Sequence, residues 1–296
     1  MAKLRKIIIP VAGLGTRVLP ASKAIPKELL PVVDKPVIQY VVEEAVAAGF
    51  KEIILVTRQS KKAIEDHFGT QAELEAALQA KDKNEQLAAV RDILPDDVSI
   101  STAYQEKPLG LGHAILCAAD LVGDEDFAVS LPDVLVYHPG GDHSYDLRNI
   151  VAVFENTGAA QIMVEAVADD QVNKYGIVDC GDVAFEPGES YNIKAMVEKP
   201  PVGSAPSNQS IIGRYLLPAR TMELLRETPP GAGGEIQLTD AIDALIAEMP
   251  VQANSMYGRT FDCGSKLGYL IANIEYGLEH PEIGAALAEW LREQEF

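Results

Sequence analysis

The first half of the chain alternates strand-like runs of β-branched residues with segments of helical character. The strand-like runs are residues 6–11, 52–57, 98–104 and 127–131. The helical segments between them include residues 37–48, 71–90 and 111–121. Strands that alternate with helices usually pair in parallel, with the helices packed on both faces of the sheet. The order therefore predicts an α/β fold with a Rossmann-like, mainly parallel central sheet flanked by helices.

The second half of the chain is more mixed. Several strand-like runs follow one another with little helix between them, and this predicts antiparallel additions to the sheet. These runs are residues 161–168, 175–178, 193–197 and 211–217. The last helical segment carries Trp290 on an apolar stripe, which is typical of a face packed against the body of the protein or a sister subunit.

One long segment, residues 12–35, has neither a strand nor a helix pattern. Loops of this length are usually functional or disordered, and the apolar residues between its prolines favour an ordered loop. It begins Ala12-Gly13-Leu14-Gly15-Thr16-Arg17, where glycines allow close backbone approach to a nucleotide. The glycine pair alone is a weak signal, because Val18 stands where the dinucleotide fingerprint needs a third glycine. Arg17 and Lys27 on one loop nevertheless suit a polyphosphate.

The composition argues against several function classes. The 296 residues include 44 acidic and 25 basic side chains, which give a formal net charge of −19 at pH 7. Nucleic acids and anionic membranes both favour a basic partner surface, so we expect neither as a partner. Cys117, Cys180 and Cys263 lie too far apart for a zinc motif or a disulfide framework. Since no apolar run approaches the roughly 18 residues of a membrane span, we expect a cytoplasmic protein.

Eight segments spread over nearly the whole chain carry distinctive motifs. They are IPVAGLGTRVLPASKAIPKELLPVVDKPVIQYVVEE (9–44), YQEKPLGLGHAILCA (104–118), SLPDVLV (130–136), KYGIVD (174–179), VEKP (197–200), IIGRYLL (211–217), GEIQLTDAI (234–242) and FDCGSKLGYL (261–270). In this order they resemble the signature of the sugar-nucleotide pyrophosphorylases, and among these the bacterial uridylyltransferases. Thymidylyltransferases typically carry Gly-Gly in place of Ala12-Gly13 and Ala-Gln in place of Gly112-His113, so these positions favour uridylyl transfer.

The resemblance implies a reaction of UTP with α-D-glucose 1-phosphate that gives UDP-glucose and pyrophosphate, with Mg²⁺ as cofactor. It also implies one nucleotidyltransferase domain over residues 1–296. Within it we expect a nucleotide-binding half (about 1–140), a sugar-phosphate-binding half (about 141–265) and C-terminal helices (about 266–296). Members of this family tend to form dimers or tetramers, so a homodimer or homotetramer is expected.

The resemblance also assigns roles to individual residues. The implied catalytic residues are three cations, Arg17, Lys27 and Lys199. The implied substrate-binding residues are Ala12, Gly13, Gly15, Glu28, Gln105, Gly110, Gly176, Glu198 and Tyr215. The implied metal ligands are Asp133 and Asp262.

The chemistry of these residues supports the assignments. Mg²⁺ prefers oxygen ligands such as carboxylates, and Asp133 follows a predicted parallel strand at the edge where α/β sheets place ligands. The Gln105 carboxamide can donate to a pyrimidine carbonyl and accept from an imide N–H. Glu198 and Lys199 are adjacent on a predicted strand and so point to opposite faces, and one of them needs a bend or a long side chain to reach the same ligand.

Two alternatives stay open from the sequence. The chain could be another sugar-1-phosphate nucleotidyltransferase, such as a thymidylyltransferase. It could also be a non-catalytic regulatory subunit that binds a sugar nucleotide. The presence of Arg17, Lys27, Asp133 and Lys199 together argues against the second alternative.

Overall fold

A ten-stranded mixed sheet with helices packed on it organises the chain. The computed structural model describes residues 4–138 and 141–294. The strands are β1 Lys6–Pro10, β2 Pro31–Val32, β3 Lys35–Pro36, β4 Glu52–Thr57, β5 Ser99–Tyr104, β6 Phe127–Ser130, β7 Val134–Tyr137, β8 Ala160–Ala166, β9 Gly176–Asp179, β10 Ser190–Asn192, β11 Ala195–Glu198, β12 Gln209–Leu217, β13 Val251–Ser255 and β14 Arg259–Asp262. The helices are α1 Val37–Ala47, α2 Lys62–Phe68, α3 Ala72–Gln79, α4 Asn84–Arg91, α5 Leu111–Cys117, α6 Ala119–Val122, α7 Tyr145–Thr157, α8 Arg220–Glu227, α9 Leu238–Ile246, α10 Lys266–Glu279 and α11 Gly284–Glu293.

The strand order confirms the predicted fold class. The main path is β10-β13-β8-β12-β6-β1-β4-β5, and β9 pairs with both β11 and β12. Strands β1, β4, β5, β6, β8, β9 and β13 run in one direction, whereas β10, β11 and β12 run in the other. The sheet is therefore mixed and mostly parallel, and its antiparallel members come from the second half of the chain, as expected.

The central strands separate two hydrophobic cores. Along β1, Ile7 and Ile9 face one core, together with Ile38 of α1. Ile8 faces the other core, together with Ile115 of α5. Because successive side chains of a strand point to opposite faces, a continuously apolar strand fits a sheet that is covered on both sides.

Two helix predictions were wrong in detail. Residues 71–90 do not form one helix but two, α3 and α4, which are separated at residues 80–83. Asp82 in this break has a φ of +55°, in the left-handed region that a continuous α-helix does not contain. The segment 111–121 is likewise divided, into α5 and α6. Helix propensity is a weak prior, and the local chain path overrides it in both places.

A small second sheet brings together two parts of the chain that are distant in sequence. Strands β7 and β14 pair antiparallel, and Asp262 lies opposite Val134. Asp133, directly before β7, is thereby held beside Asp262. The long loop 12–35 is ordered by short 3₁₀ turns and by the β2–β3 pair, as its apolar residues predicted.

Among the described residues, no helix has both the length and the apolar character needed to cross a bilayer. The two halves share the main sheet, since β12 pairs with β6. The division of the chain into a nucleotide-binding half, a sugar-phosphate-binding half and C-terminal helices stays a prediction.

Candidate active site

The loops that follow β1 and β6 meet at the carboxyl ends of these strands, where the strand order reverses. After β1 the chain passes through α1 to β4 on one side, whereas β6 lies on the other side of β1. In open α/β sheets such a reversal opens a crevice beyond the strand ends, and ligands bind there. The loop 12–35 and the segment 131–133 border this crevice.

Two cavities lie side by side at this edge of the sheet. The smaller has a volume of about 350 Å³, and the larger one of about 930 Å³. Both are lined by Leu111, Leu131, Asp133 and Glu235. Molecules bound in the two cavities would therefore be neighbours, and Asp133 lies where they meet.

The residues predicted to form the site fall into two groups, one in each cavity. The smaller cavity is lined by Ala12, Gly13, Lys27, Glu28, Gln105, Gly110 and Asp133. The larger cavity is lined by Arg17, Asp133, Gly176, Glu198, Lys199, Tyr215 and Asp262. Gly15 lines neither cavity. The residues expected to bind the nucleotide thus lie mainly in the smaller cavity and those expected to bind the sugar phosphate in the larger one, and the ligand of each cavity stays a prediction.

Gly15 shapes the loop instead of lining a cavity. Its φ of +67° lies in the left-handed region, and it precedes the 3₁₀ turn that carries Arg17. A Cβ at this position would lie 3.1 Å from the Cβ of Ser22 and 3.2 Å from the Cβ of Lys27. A side chain here would be strained, and Ser22 or Lys27 would have to shift to make room for it.

Gln105 is buried at the end of β5, and its amide is held in one orientation. Its Nε2 donates to the Gly110 carbonyl at 3.1 Å and lies 3.0 Å from Nδ1 of His113. Both amide hydrogens therefore have partners, which leaves Oε1 as an acceptor. That this side chain both donates to a base and accepts from it stays a prediction, because the amide orientation is assigned from these internal contacts.

Glu28 is fully buried and forms an ion pair with Lys61. Lys61 Nζ lies 2.8 Å from Oε2 and 3.1 Å from Oε1 of Glu28, and it donates to the Val11 carbonyl at 2.7 Å. Burial raises the pKa of the Glu28 carboxyl, although Lys61 partly offsets this effect. Burial likewise lowers the pKa of the Lys61 ammonium. The pair fixes the loop against the end of β1, at the wall of the smaller cavity.

Asp133 is shared by the two cations of the long loop. Its Oδ2 lies 2.5 Å from Lys27 Nζ and 3.3 Å from Arg17 Nη2. Arg17 reaches further with Nη1, which lies 2.9 Å from Oδ2 of Asp262. The two carboxylates and the two cations thus form one cluster at the junction of the cavities. In each of these ion pairs, a charged ligand can take the place of one partner.

The carboxylates of Asp133 and Asp262 converge on Gly264. A Cβ at Gly264 would lie 2.5 Å from Oδ2 of Asp133 and 2.8 Å from Oδ1 of Asp262. A Cβ at Gly264 would also contact Nη2 of Arg17. The space between the two carboxylates is therefore open only because residue 264 is a glycine. Two convergent carboxylates are the donor type that Mg²⁺ takes from proteins, and these residues fit that ion.

Glu198 and Lys199 reach the larger cavity together because the chain bends between them. Lys199 has a φ of +48°, which is uncommon for a residue other than glycine. Its N–H donates to the Tyr175 carbonyl at 3.0 Å, which holds the bend. Lys199 Nζ lies 3.2 Å from Oε1 of Glu198. The expected bend is present, and it offers one anion and one cation to the same ligand.

Gly176 and Tyr215 complete this wall of the larger cavity. Gly176 lies opposite Glu198 in the β9–β11 pair, and a Cβ there would lie 3.2 Å from Oε2 of Glu198. Tyr215 is buried on β12, and burial raises the pKa of its hydroxyl. The glycine leaves room for the carboxylate, and the tyrosine ring supplies an apolar surface.

Sequence reasoning missed several residues at the site. Lys61 pairs with Glu28 from 33 positions away, and no local pattern shows this. Arg214, which lies in the IIGRYLL motif, is fully buried behind Asp133. The larger cavity is also lined by Glu165 and Lys174, which no motif singled out as ligand-binding.

Comparisons with known proteins agree with this geometry. The chain is 54% identical over 293 residues to the UTP–glucose-1-phosphate uridylyltransferase of Escherichia coli (strain K12), covering 99% of this chain and 96% of that protein. It is 51% identical over 288 residues to the protein of the same name from Haemophilus influenzae (strain Rd), covering 97% and 98%. The solved structure of a UTP-bound UGPase from Acinetobacter baumannii matches with a TM-score of 0.93 at 52% identity, over 99% of this chain and 100% of that one.

The match is not confined to the site. Residues 6–277, which span the sheet, both cavities and most of α10, match the nucleotidyl transferase family. With relatives more than half identical over nearly their full length, the chain belongs to the nucleotidyl transferase family.

Proposed function

We propose that this protein is an enzyme that forms UDP-glucose and pyrophosphate from UTP and α-D-glucose 1-phosphate. The observation that carries the proposal is the pair of adjoining cavities that meet at Asp133, with cations on both sides of the junction. Relatives named for this reaction, and one structure with bound UTP, support the choice of substrates.

The smaller cavity suits the nucleotide. Oε1 of Gln105 is placed to accept from the imide N–H of uracil, which cytosine lacks. Ala12, Gly13 and Gly110 line the same cavity, and we propose their backbone N–H groups as donors to the base carbonyls. Lys27 lies between this cavity and the junction, where the triphosphate would pass.

The larger cavity suits the sugar phosphate. The two oxygens of Glu198 can accept from neighbouring sugar hydroxyls, and Lys199 beside it can hold the phosphate. Arg17 lines this cavity from the side of the junction. The volume of about 930 Å³ leaves space for a hexose phosphate next to the α-phosphate of UTP.

The reaction needs positioning and charge neutralisation more than proton transfer. An ionised oxygen of the sugar phosphate attacks the α-phosphorus of UTP, and the bond from that phosphorus to the β-phosphate oxygen breaks. The electron pair of the broken bond leaves with pyrophosphate, so no covalent enzyme intermediate and no general base are required. Arg17, Lys27 and Lys199 offset the repulsion between the two anionic substrates.

Asp133 and Asp262 are the residues that would hold Mg²⁺. When bound, this ion supplies positive charge at the phosphate oxygens. In the structure Lys27 and Arg17 form ion pairs with the carboxylate oxygens that would bind this ion. These two cations would turn from the carboxylates toward the phosphates when the substrates enter, so the cluster keeps its charges balanced in both states.

Pyrophosphate release tests the proposal. The purified protein is assayed with UTP or dTTP, against glucose 1-phosphate or galactose 1-phosphate, with and without Mg²⁺. We expect release with UTP, glucose 1-phosphate and Mg²⁺ together, and much less when any one is replaced or omitted. A preference for dTTP would favour a thymidylyltransferase, and no release under any condition would favour a non-catalytic subunit.

Replacing Gln105 by glutamate is expected to lower kcat/KM for UTP by about 10- to 100-fold, since a buried polar group then lacks its partner. A carboxylate oxygen would face the Gly110 carbonyl in place of the Nε2 donor, so the side chain loses the contact that orients it. Steady-state kinetics with varied UTP measures the change. Use of UTP at the wild-type efficiency would show that Gln105 does not read the base.

Replacing Lys199 by alanine is expected to raise the KM for glucose 1-phosphate by about 10-fold or more and to lower kcat, because a charge-assisted contact to phosphate is lost. Excess Mg²⁺ should not rescue this variant, since the missing cation belongs to the acceptor phosphate. Lys62→Ala is a control, because Lys62 is exposed on α2 and lines neither cavity. An unchanged KM in Lys199→Ala would remove Lys199 from the site.

We also propose that the protein forms homo-oligomers, with a second copy of the chain seated on the exposed apolar side of α10. Leu267 is 70% exposed, and four more apolar residues of this helix are also exposed, at helical spacing: Leu270, Ile271, Ile274 and Leu278. Two copies can pack such stripes against each other about a two-fold axis. The net charge of −19 disfavours contacts between copies through the charged surfaces of the chain. Sedimentation equilibrium is expected to give a dimer or tetramer, and a monomer at every concentration would contradict the proposal.

A further inference from the structure

Arg214 of β12 is fully buried and makes four hydrogen bonds. Its Nε and Nη2 donate to the two carboxylate oxygens of Glu44 on α1, at 3.1 and 2.7 Å. Its Nη1 donates to the Leu131 carbonyl at 3.3 Å, and Nη2 also donates to the Val134 carbonyl at 2.7 Å. The two carbonyls belong to the residues on either side of Pro132 and Asp133, so the guanidinium bridges the ends of this short segment. The Asp133 carboxylate extends from the same segment.

The rest of β12 is shaped to receive the same segment. Gly213 has a φ of +87°, and the pairing of β12 with β8 shifts register between Ile211 and Tyr215. The Gly213 carbonyl accepts from the Leu131 N–H at 2.9 Å. A Cβ at Gly213 would lie 2.5 Å from the side chain of Leu131, so this bulge admits the segment only as glycine.

A buried ion pair is an unusual way to support a core. Pairs of this kind are often no more stabilising than apolar residues of similar volume, because both charges lose their hydration. Arg214 nevertheless places four of its five N–H donors on the Glu44 carboxylate and the two carbonyls. An apolar side chain could fill the space but could not fix the carbonyls of Leu131 and Val134.

We propose that Arg214 is a positioning residue that, through the Leu131 and Val134 carbonyls, holds the Asp133 carboxylate where the two cavities meet. Glu44 in turn fixes the guanidinium, so the support runs from α1 through β12 to Asp133. The inference rests on the proposed function, since it assumes that Asp133 acts on the metal and the phosphates. Groups that orient a metal ligand typically change metal affinity or activity by about 10- to 100-fold when removed.

The test separates positioning from folding with a paired substitution. Arg214→Met alone leaves Glu44 buried without a partner and is expected to be poorly folded. Glu44→Leu combined with Arg214→Met removes both charges at similar volume, and is expected to restore the denaturation midpoint but not the loop geometry. Leu216→Ala is the matched control, because it makes a cavity on the same strand but has no side-chain donor.

Three quantities are measured for each variant: the denaturation midpoint, the affinity for Mn²⁺ in the presence of UTP, and kcat. We expect the double variant to have a nearly normal midpoint but to lose about 10-fold or more in both Mn²⁺ affinity and kcat. Leu216→Ala is expected to lower the midpoint and to leave the other two quantities nearly unchanged. Arg214→Lys, which keeps a cation beside Glu44 but reaches fewer carbonyls, is expected to show an intermediate loss.

Normal Mn²⁺ affinity and kcat in a folded double variant would overturn the proposal. If the double variant does not fold, the same result in Arg214→Lys would overturn it, and a loss of Mn²⁺ affinity at a normal midpoint would support it. Equal losses in Leu216→Ala would also overturn it, because they would reflect general destabilisation. Asp133→Asn is measured alongside: normal Mn²⁺ affinity there would show that the metal assignment itself has failed, and the inference with it.

Discussion

Replacing Asp133 by asparagine is expected to lower kcat by about 100-fold or more, the usual effect of losing one well-placed electrostatic contact in an active site. The amide has nearly the size of the carboxylate and can still accept from Lys27, so the protein should fold. It lacks the negative charge that attracts Mg²⁺, and a higher Mg²⁺ concentration should therefore recover part of the activity. Steady-state kinetics over a range of Mg²⁺ concentrations measures both effects.

A matched control for this variant is Asp142→Asn. Asp142 pairs with Arg148 and lines neither of the two cavities, so its loss should leave kcat nearly unchanged. An Asp133→Asn protein with wild-type kcat at low Mg²⁺ would show that Asp133 neither binds the metal nor contributes to catalysis.

Replacing Lys61 by methionine is expected to lower the free energy of unfolding by about 3–5 kcal/mol, because it leaves the Glu28 carboxylate buried without its partner. Chemical denaturation at neutral pH measures the loss. The double variant Glu28→Gln with Lys61→Met removes both charges and is the control. It should recover most of the stability, since no unpaired charge then stays buried.

The loss in Lys61→Met should depend on pH. Burial already raises the pKa of Glu28, and removing Lys61 takes away the main opposing influence. A carboxyl whose pKa is higher in the folded state binds more protons there, so the stability of this variant falls as pH rises. The deficit is complete above the folded pKa and is relieved as pH falls toward the ordinary carboxyl pKa. A deficit that is constant from pH 4 to pH 8 would contradict a buried, unpaired Glu28.

Periodicity was sufficient to locate the strands of the main sheet in the first half of the chain. The strand-like runs at 6–11 and 52–57 became β1 and β4, because continuous apolar character requires burial on both faces. It was not sufficient where helix-forming residues continue through a turn, as at Asp82 between α3 and α4. The helix α7 was not predicted, although Leu147, Ile150, Val151 and Phe154 show its apolar spacing in the sequence and are buried.

The motifs indicated the residues that line the two cavities, but they did not indicate the buried residues that hold them in place. Glu198 and Lys199 were expected to share a ligand through a bend or a long side chain, and the positive φ of Lys199 provides a bend. Lys61, which pairs with Glu28, and Arg214, which holds the carbonyls on either side of Asp133, were not predictable, because the fold and not local sequence brings them there. Arg214 and Glu44 are 170 residues apart, and only the packing of α1 against the sheet joins them.

We expect the two adjoining cavities to divide the two substrates between them. This division is tested by calorimetric titration of UTP with Mg²⁺, in the absence of sugar phosphate, into the wild type, Gln105→Glu and Lys199→Ala. We expect nearly normal UTP affinity in Lys199→Ala and an affinity about 10-fold or more weaker in Gln105→Glu. Loss of UTP binding in Lys199→Ala, with normal binding in Gln105→Glu, would contradict it.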